Sequence, residues 1–170
     1  MKIEKRCYKF KIANGPIIDI TPNVIERAYD YLQRDIHDAE SGGYLVGFEN
    51  FETSNITIND ISLPSEEDER NRIFCKLKSM AHKLFLSHQK KQQNYYMGSW
   101  HTHPQICPSP SPIDYKDWKE TLLYDKTGCD YAFFLIFGIK EFRFWYANYE
   151  TKEIKELTEL NKTNGYYDKE

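Results

Sequence analysis

The sequence predicts a layered α/β or α+β domain, and three observations carry that prediction. Strand-like and helix-like segments are interspersed along the chain, which fits neither a sandwich nor a bundle. Two helices are announced by a cap-then-proline signal, Thr21-Pro22 and Ser111-Pro112. No repeat, low-complexity tract or linker divides the 170 residues. Apolar residues make up 40% and charged residues 29%, enough for one buried core. We therefore expect one domain over 1–160 and a polar tail over 161–170.

The elements follow in order. Arg6 to Ile12 alternates basic and apolar positions, as a half-exposed strand does. Asn14-Gly15 supplies a turn, and Ile17, Ile18 and Ile20 mark a second short strand. After Thr21-Pro22, Val24, Ile25, Ala28, Tyr31 and Leu32 recur at helical spacing, predicting a helix to about Asp35. Glu40-Ser-Gly-Gly-Tyr-Leu-Val-Gly47 reads as a buried strand whose glycines admit another backbone at close range. Asn55 to Leu63 alternates cleanly and predicts another strand. Glu66 to Arg72 reads as a solvated charged connection. From Ile73 to about Gln89, Phe74, Leu77, Ala81, Leu84, Phe85 and His88 predict one face of a second helix.

Tyr95 to Thr102 is aromatic and strand-like. Pro104 to Pro112 holds four of the seven prolines in nine residues, so it is read as a stiff loop. Ser111-Pro112-Ile113-Asp114 opens a third helix to about Tyr124. Tyr131 to Phe137 and Lys140 to Ala147 flank Gly138 as a hairpin, with a last strand or helix near Ile154 to Leu157.

Composition excludes several functions. A net charge of −3 gives no global positive field for nucleic acid. No stretch approaches the roughly 18 apolar residues of a membrane span, and the N-terminus lacks the apolar run of a signal peptide. The cytoplasm is the expected location. Cys7, Cys75, Cys107 and Cys129 lie far apart with no C-x-x-C pair, which argues against a zinc ribbon, a redox motif or a disulfide scaffold.

The chemistry gathers at His101-Thr-His103. In a strand, positions i and i+2 share a face about 6.5–7 Å apart, so two imidazoles can converge on one ion. Asp114, eleven positions later at the start of a proline-capped helix, can return a carboxylate toward them. Two neutral imidazoles and one carboxylate make a three-ligand zinc site with an open fourth position, which favours hydrolysis over a structural role. Glu40 is the candidate proton acceptor, although spacing alone does not bring it beside the histidines. Ser111 has two readings, an N-cap and a donor to the oxyanion of a tetrahedral intermediate. Cys107 could reach the ion as a thiolate or be an inert loop cysteine. Trp100 and Trp118 are read as core. His37 and His82 have no matched partner in the sequence.

The run His101-Thr-His103, seven residues, Ser111, two residues, Asp114 resembles the JAMM signature of the JAB/MPN metalloproteases at every spacing. Glu40-Ser-Gly-Gly-Tyr-Leu-Val-Gly47 resembles the family's upstream glutamate element. The order of elements is similar over most of the chain. The resemblance implies the MPN/JAB-like (cytidine-deaminase-like) fold, a central mixed sheet flanked by helices. It also implies a zinc-dependent isopeptidase: His101, His103 and Asp114 as ligands of one Zn2+, Glu40 as general base and then acid, and Ser111 steadying the intermediate. Residues 64–72 leave little room for the long insertions that grip ubiquitin in larger members, which points away from ubiquitin itself. Ser99-Trp100-His-Thr-His-Pro and Asp114-Tyr-Lys-Asp-Trp118 resemble small bacterial JAB deconjugases of ubiquitin-like and CBASS antiphage operons. The implied substrate is a ubiquitin-like protein or CD-NTase conjugate whose C-terminal tail lies in a groove, with E1/E2-like enzymes as further partners. A non-catalytic MPN scaffold and a JAB hydrolase acting on a sulfur-carrier or small-molecule adduct remain alternatives.

Overall fold

The computed structural model describes residues 2–160; the polar tail expected over 161–170 lies outside the described residues. Ten strands and three helices run in the order β1 (Tyr8–Lys11), β2 (Ile17–Ile20), α1 (Pro22–Tyr29), β3 (Gly42–Glu49), β4 (Ile56–Ile61), β5 (Glu69–Arg70), β6 (Cys75–Lys76), α2 (Met80–Lys91), β7 (Tyr95–Thr102), α3 (Pro112–Tyr124), β8 (Tyr131–Phe137), β9 (Phe142–Asn148) and β10 (Ile154–Leu157). Eight strands form one mixed sheet in the order β1-β2-β4-β3-β7-β8-β9-β10, and β5 and β6 form a separate hairpin. The β2/β4 and β7/β8 pairs are parallel; the other neighbours are antiparallel. The layered α/β class predicted from interspersed elements is therefore the observed one.

The pleat divides the sheet into two faces. Leu45, Trp100, Phe133, Leu135 and Phe144 join Val24, Ile25 and Ala28 of α1 in the larger core. Phe134, Ile136 and Trp145 face the other way and pack under Trp118 and Leu122 of α3. Trp118 stacks on Phe134 with ring centroids 4.8 Å apart. Both tryptophans read as core are buried.

The sheet curls until its two edges approach. Phe10 bridges Glu159 beyond β10, and Leu160 N–H donates to Lys9 O at 2.9 Å. Phe10 meets Phe144 across the gap at 4.9 Å, and Tyr8 meets Phe142 at 4.8 Å.

Gly43 and Gly98 are among the glycines that permit close backbone approach. A Cβ on Gly43 would lie 2.2 Å from Ser62 O, as expected at the strand entrance. Gly98 follows a bulge at Met97, where the β3/β7 register shifts. It has φ +145°, and a Cβ there would lie 1.8 Å from Phe133 O.

Three local expectations are corrected. The first helix ends at Tyr29 rather than near Asp35. Arg34 Nη2 donates to Tyr29 O, and the chain turns so that Leu32 and Gln33 point into the interior. The second helix starts at Met80, not Ile73, because Ser79 caps it by accepting the Ala81 N–H. Its buried positions are His82 and Gln89, while Met80 and Leu84 are exposed; hydrogen bonding rather than apolar burial chose the inward face. The charged connection contains β5, and Asp68 within it is buried. The Asp68 carboxylate accepts from Ser65, Lys78 and Ser79 N–H and meets His82 Nε2 at 2.7 Å.

Candidate functional site

His101 faces the α3 side of the sheet because its β8 partner is Ile136, part of the core under Trp118. Asp114 and Trp118 lie four residues apart on α3 and share a helix face. Seating Trp118 against β8 and β9 therefore turns Asp114 toward the imidazoles. The start of α3 is fixed by a capping box: Ser111 Oγ accepts the Asp114 N–H at 3.1 Å, and Asp114 Oδ2 accepts the Ser111 N–H at 2.8 Å. The N-cap reading of Ser111 is thus the one its contacts express.

Glu40 comes to the same place through strand register. Gly42 of β3 pairs with His101, so two residues outward along both strands Glu40 stands opposite His103 on the same face. This juxtaposition depends on which strands are neighbours, which no residue spacing reveals.

The donor atoms converge. His101 Nε2 and His103 Nε2 are 3.1 Å apart. Asp114 Oδ1 lies 3.1 Å from His101 Nε2, and Oδ2 lies 3.3 Å from His103 Nε2. Tetrahedral donors about 2.0–2.1 Å from an ion stand roughly 3.3 Å from one another, so these residues fit zinc in number and type, with each imidazole near that separation from one of the two Asp114 oxygens. Among the described residues, Glu40, His101 and His103 also form a group able to hold a metal, with ligand atoms within 4.8 Å. Glu40 Oε1, however, is 3.9 Å from His103 Nε2, outside tetrahedral ligand spacing. Asp114 is the nearer third donor, and Glu40 stands one step back.

His103 Nδ1 faces Gln105 Oε1 at 3.2 Å, and the same oxygen accepts the Ser109 N–H at 2.8 Å. An Nδ1–H donated to Gln105 leaves the Nε2 lone pair directed at His101 Nε2 and the Asp114 carboxylate, free to take a metal. Gln105 was missed in the sequence, although its place two residues after His103 was the available signal.

Charge is arranged unevenly. Burial pushes the Glu40 carboxyl up to about 8; Asp114 adds to the shift, while His103 and the Cys75 N–H oppose it. For Asp114 burial also acts upward, but hydrogen bonds from His101 and His103 outweigh it and hold the carboxyl well below its usual range. His103 is raised, because the hydrogen bond and charge of Asp114 overcome the penalty of burial.

A cavity of about 140 Å³ opens beside these groups, lined among others by Glu40, Gly42, Cys75, His101, Asp114 and Trp118. Cys75 is the second residue that sequence reasoning missed here. Burial pushes its thiol up to about 12, which keeps it protonated at neutral pH. Cys107 is exposed and its thiol pairs with Glu141; it lines a separate groove of about 620 Å³ at the seam between the sheet edges.

A second polar cluster has the order of a nucleophilic triad. Ser62 Oγ lies 2.7 Å from His82 Nδ1, and His82 Nε2 lies 2.7 Å from Asp68 Oδ2. All three residues are buried, and Ser62 Oγ also accepts the Tyr44 N–H. An Nε2–H donated to Asp68 and a Ser62 hydroxyl donated to Nδ1 satisfy the whole cluster. It has no access for a substrate and pins the β5–β6 hairpin to α2 and β4.

Among the described residues, no helix is long and apolar enough to cross a membrane. Residues 21–148 match the family model of prokaryotic homologs of the JAB domain. A relative from Escherichia coli (strain TW11681) named CD-NTase/cGAS isopeptidase is 36% identical over 102 residues, covering 58% of this chain and 64% of that protein, just under two thirds. A protein of the same name from Vibrio cholerae (serotype O1) is 28% identical over 136 residues, covering 78% of this chain and 83% of that protein. Among solved structures, protein DSY2949 from Desulfitobacterium hafniense shares the fold with a TM-score of 0.56 at 13% identity, covering 81% of this chain and 87% of that one. With the family model spanning most of its length, the chain belongs to the prokaryotic homologs of the JAB domain.

Proposed function

We propose that this chain is a zinc-dependent isopeptidase of the JAMM type, acting on the amide that joins the C-terminus of a conjugated CD-NTase or ubiquitin-like protein to its target. The observation that carries the reading is the meeting of His101, His103 and Asp114 at 3.1–3.3 Å with Glu40 set back at 3.9 Å. The name shared by the curated relatives supports the CD-NTase conjugate as the substrate class. E1/E2-like enzymes that make the conjugate, the cytoplasm as the site of action, a role in antiphage defence and residues 1–160 as the working unit belong to the same proposal.

His101, His103 and Asp114 would hold one Zn2+, with Gln105 orienting His103. Bound there, zinc supplies a Lewis acid that activates water and polarises the scissile carbonyl. Glu40 accepts the proton released as water attacks, and returns it to the departing amine nitrogen. Burial favours the protonated Glu40 carboxyl, the form that gives its proton to the departing amine, and a cation held beside it would favour the carboxylate, the form that accepts one. Ser111 keeps α3, and with it Asp114, in place; its O–H remains available to donate toward a tetrahedral oxyanion. The enzyme reading is favoured over a partner-binding scaffold because Glu40, His101, His103 and Asp114 are all present and stand together.

The test joins metal analysis to cleavage. The purified chain, loaded with zinc, is assayed on a CD-NTase C-terminal segment amide-linked to green fluorescent protein. Parent protein cleaves the junction with about one zinc bound, whereas Glu40→Gln keeps the metal and loses about 10²–10⁴-fold in turnover. Parental turnover by Glu40→Gln would end the assignment.

A further inference from the structure

We infer that Arg70 and Thr102 are positioning residues, fixing Glu40 against the imidazole pair by gripping the Glu40–Ser41 backbone from opposite sides. The inference rests on the reading of Glu40 as the proton-transfer group.

Glu40 lies outside β3, at the end of a stretch with neither helix nor strand, so no ladder of its own holds it. Bonds from two other segments do. From the β5–β6 hairpin, Arg70 Nε donates to Glu40 O at 2.8 Å and Nη2 donates to Ser41 Oγ at 2.7 Å. Asn71 O, next in the hairpin, accepts the Glu40 N–H at 2.7 Å. From β7, Thr102 Oγ1 accepts the Ser41 N–H at 2.9 Å, and Thr102 N–H donates to Ser41 O at 3.0 Å. Every polar group of Ser41 is engaged.

Thr102 sits between the two imidazoles in sequence but on the opposite face of the pleat, so it touches neither ion nor substrate. Its hydroxyl accepts from Ser41 and donates to Gln33 Oε1 at 2.7 Å. Gln33 in turn donates to Asp38 O and Arg72 O. Ser41, Thr102 and Gln33 are all buried, and an unmade bond in such a site is costly. Because Thr102 is covalently between His101 and His103, its bond to Ser41 sets the 3.9 Å separation of Glu40 from His103. Arg70 sets the other coordinate, since a guanidinium fork presents two N–H groups at fixed spacing and an ammonium does not. The hairpin bearing Arg70 is itself anchored through Asp68, His82 and Ser62.

The experiment compares Arg70→Met, Arg70→Lys, Thr102→Val, Thr102→Ser and Glu40→Gln in the zinc-loaded chain. It measures zinc content, kcat and KM on the same amide-linked segment, and hydrogen exchange of the Ser41 amide. Arg70→Met and Thr102→Val are expected to keep parental zinc and a KM within about twofold while kcat falls about 10–10²-fold. The Ser41 amide should exchange faster in Thr102→Val. Thr102→Ser should restore kcat, and Arg70→Lys only part of it. Arg70 lies on the hairpin outside both apolar cores, so its pair carries the test even if Thr102→Val does not fold. Parental kcat in Arg70→Met and Thr102→Val, with Glu40→Gln inactive, overturns the positioning role alone. Zinc lost in step with kcat overturns it too, by making these residues supports of the metal site. An active Glu40→Gln chain overturns the underlying reading and the role with it.

Discussion

Ser111 and Asp114 hold each other at the start of α3, each backbone N–H donating to the other's side-chain oxygen. The same Asp114 carboxylate faces both imidazoles, so a helix cap and a candidate ligand set share one residue. Ser111→Ala removes the acceptor for the Asp114 N–H. We expect a loss of about 1 kcal/mol in urea unfolding of the apo chain and weaker zinc binding by competition titration. Parental stability and affinity, with kcat alone reduced, would assign Ser111 to the oxyanion instead of the cap.

Zinc should stabilise the native chain because the unfolded one has no assembled donor set. At a hundredfold excess over Kd the linkage amounts to about 2.7 kcal/mol, or about 5–10 °C in Tm for a chain of this size. Chelation should reverse the shift, and Asp114→Ala should abolish it. Calorimetry with and without zinc checks this; an equal shift in the Asp114→Ala chain would remove Asp114 from the ligand set.

Acid stability should depend on the buried Asp68. Burial acts to raise its carboxyl, but His82 and the Ser79 and Ser65 N–H groups outweigh that and hold it below the usual value. A depressed folded pKa contributes stability that is present above the unfolded value, near 4, and is lost as pH falls through the folded one. Apo chain should thus lose Tm steeply below about pH 4. Asp68→Asn, which leaves a buried carboxylate site short of acceptors, should cost about 2–4 kcal/mol at pH 6 and flatten the acid limb. A parallel acid limb in that variant would point to other carboxylates.

Gly98 supports the motif strand in a conformation that L side chains rarely adopt. Gly98→Ala would drive a methyl into Phe133 O, and we expect more than about 3 kcal/mol of destabilisation or no soluble protein. A well-folded alanine variant by circular dichroism would show that β7 and β8 can separate locally.

Most of the sheet and α3 were legible because their signals are local. Alternation marks NITINDISL, and Ser111-Pro112 marks a helix start whatever surrounds it. The segment 66–79 was not legible, because the partners of Asp68 are the backbone of residues 78 and 79 and the ring of His82, brought together only by the hairpin. The early end of α1 has the same origin: Gln33 leaves the helix to meet Thr102, a partner remote in sequence. At the site, His101, His103 and Asp114 followed from strand alternation and a capped helix. Glu40 was a candidate proton acceptor from the sequence, but its approach to the imidazoles depends on the Gly42–His101 register, a tertiary fact that no residue spacing shows.

The seam that joins Phe10 to Glu159 has a consequence for synthesis. A ribosome delivers β1 well before β9 and β10, so Tyr8 and Phe10, buried in the finished sheet, lack the other side of the seam until those strands emerge. Protease applied to nascent chains stalled before Ile154 should cut near Tyr8, and release of the last strand should protect it. Tyr8 and Phe10 thus wait for shelter until the far side of the seam is made, which makes that interval the one in which a chaperone has most to cover.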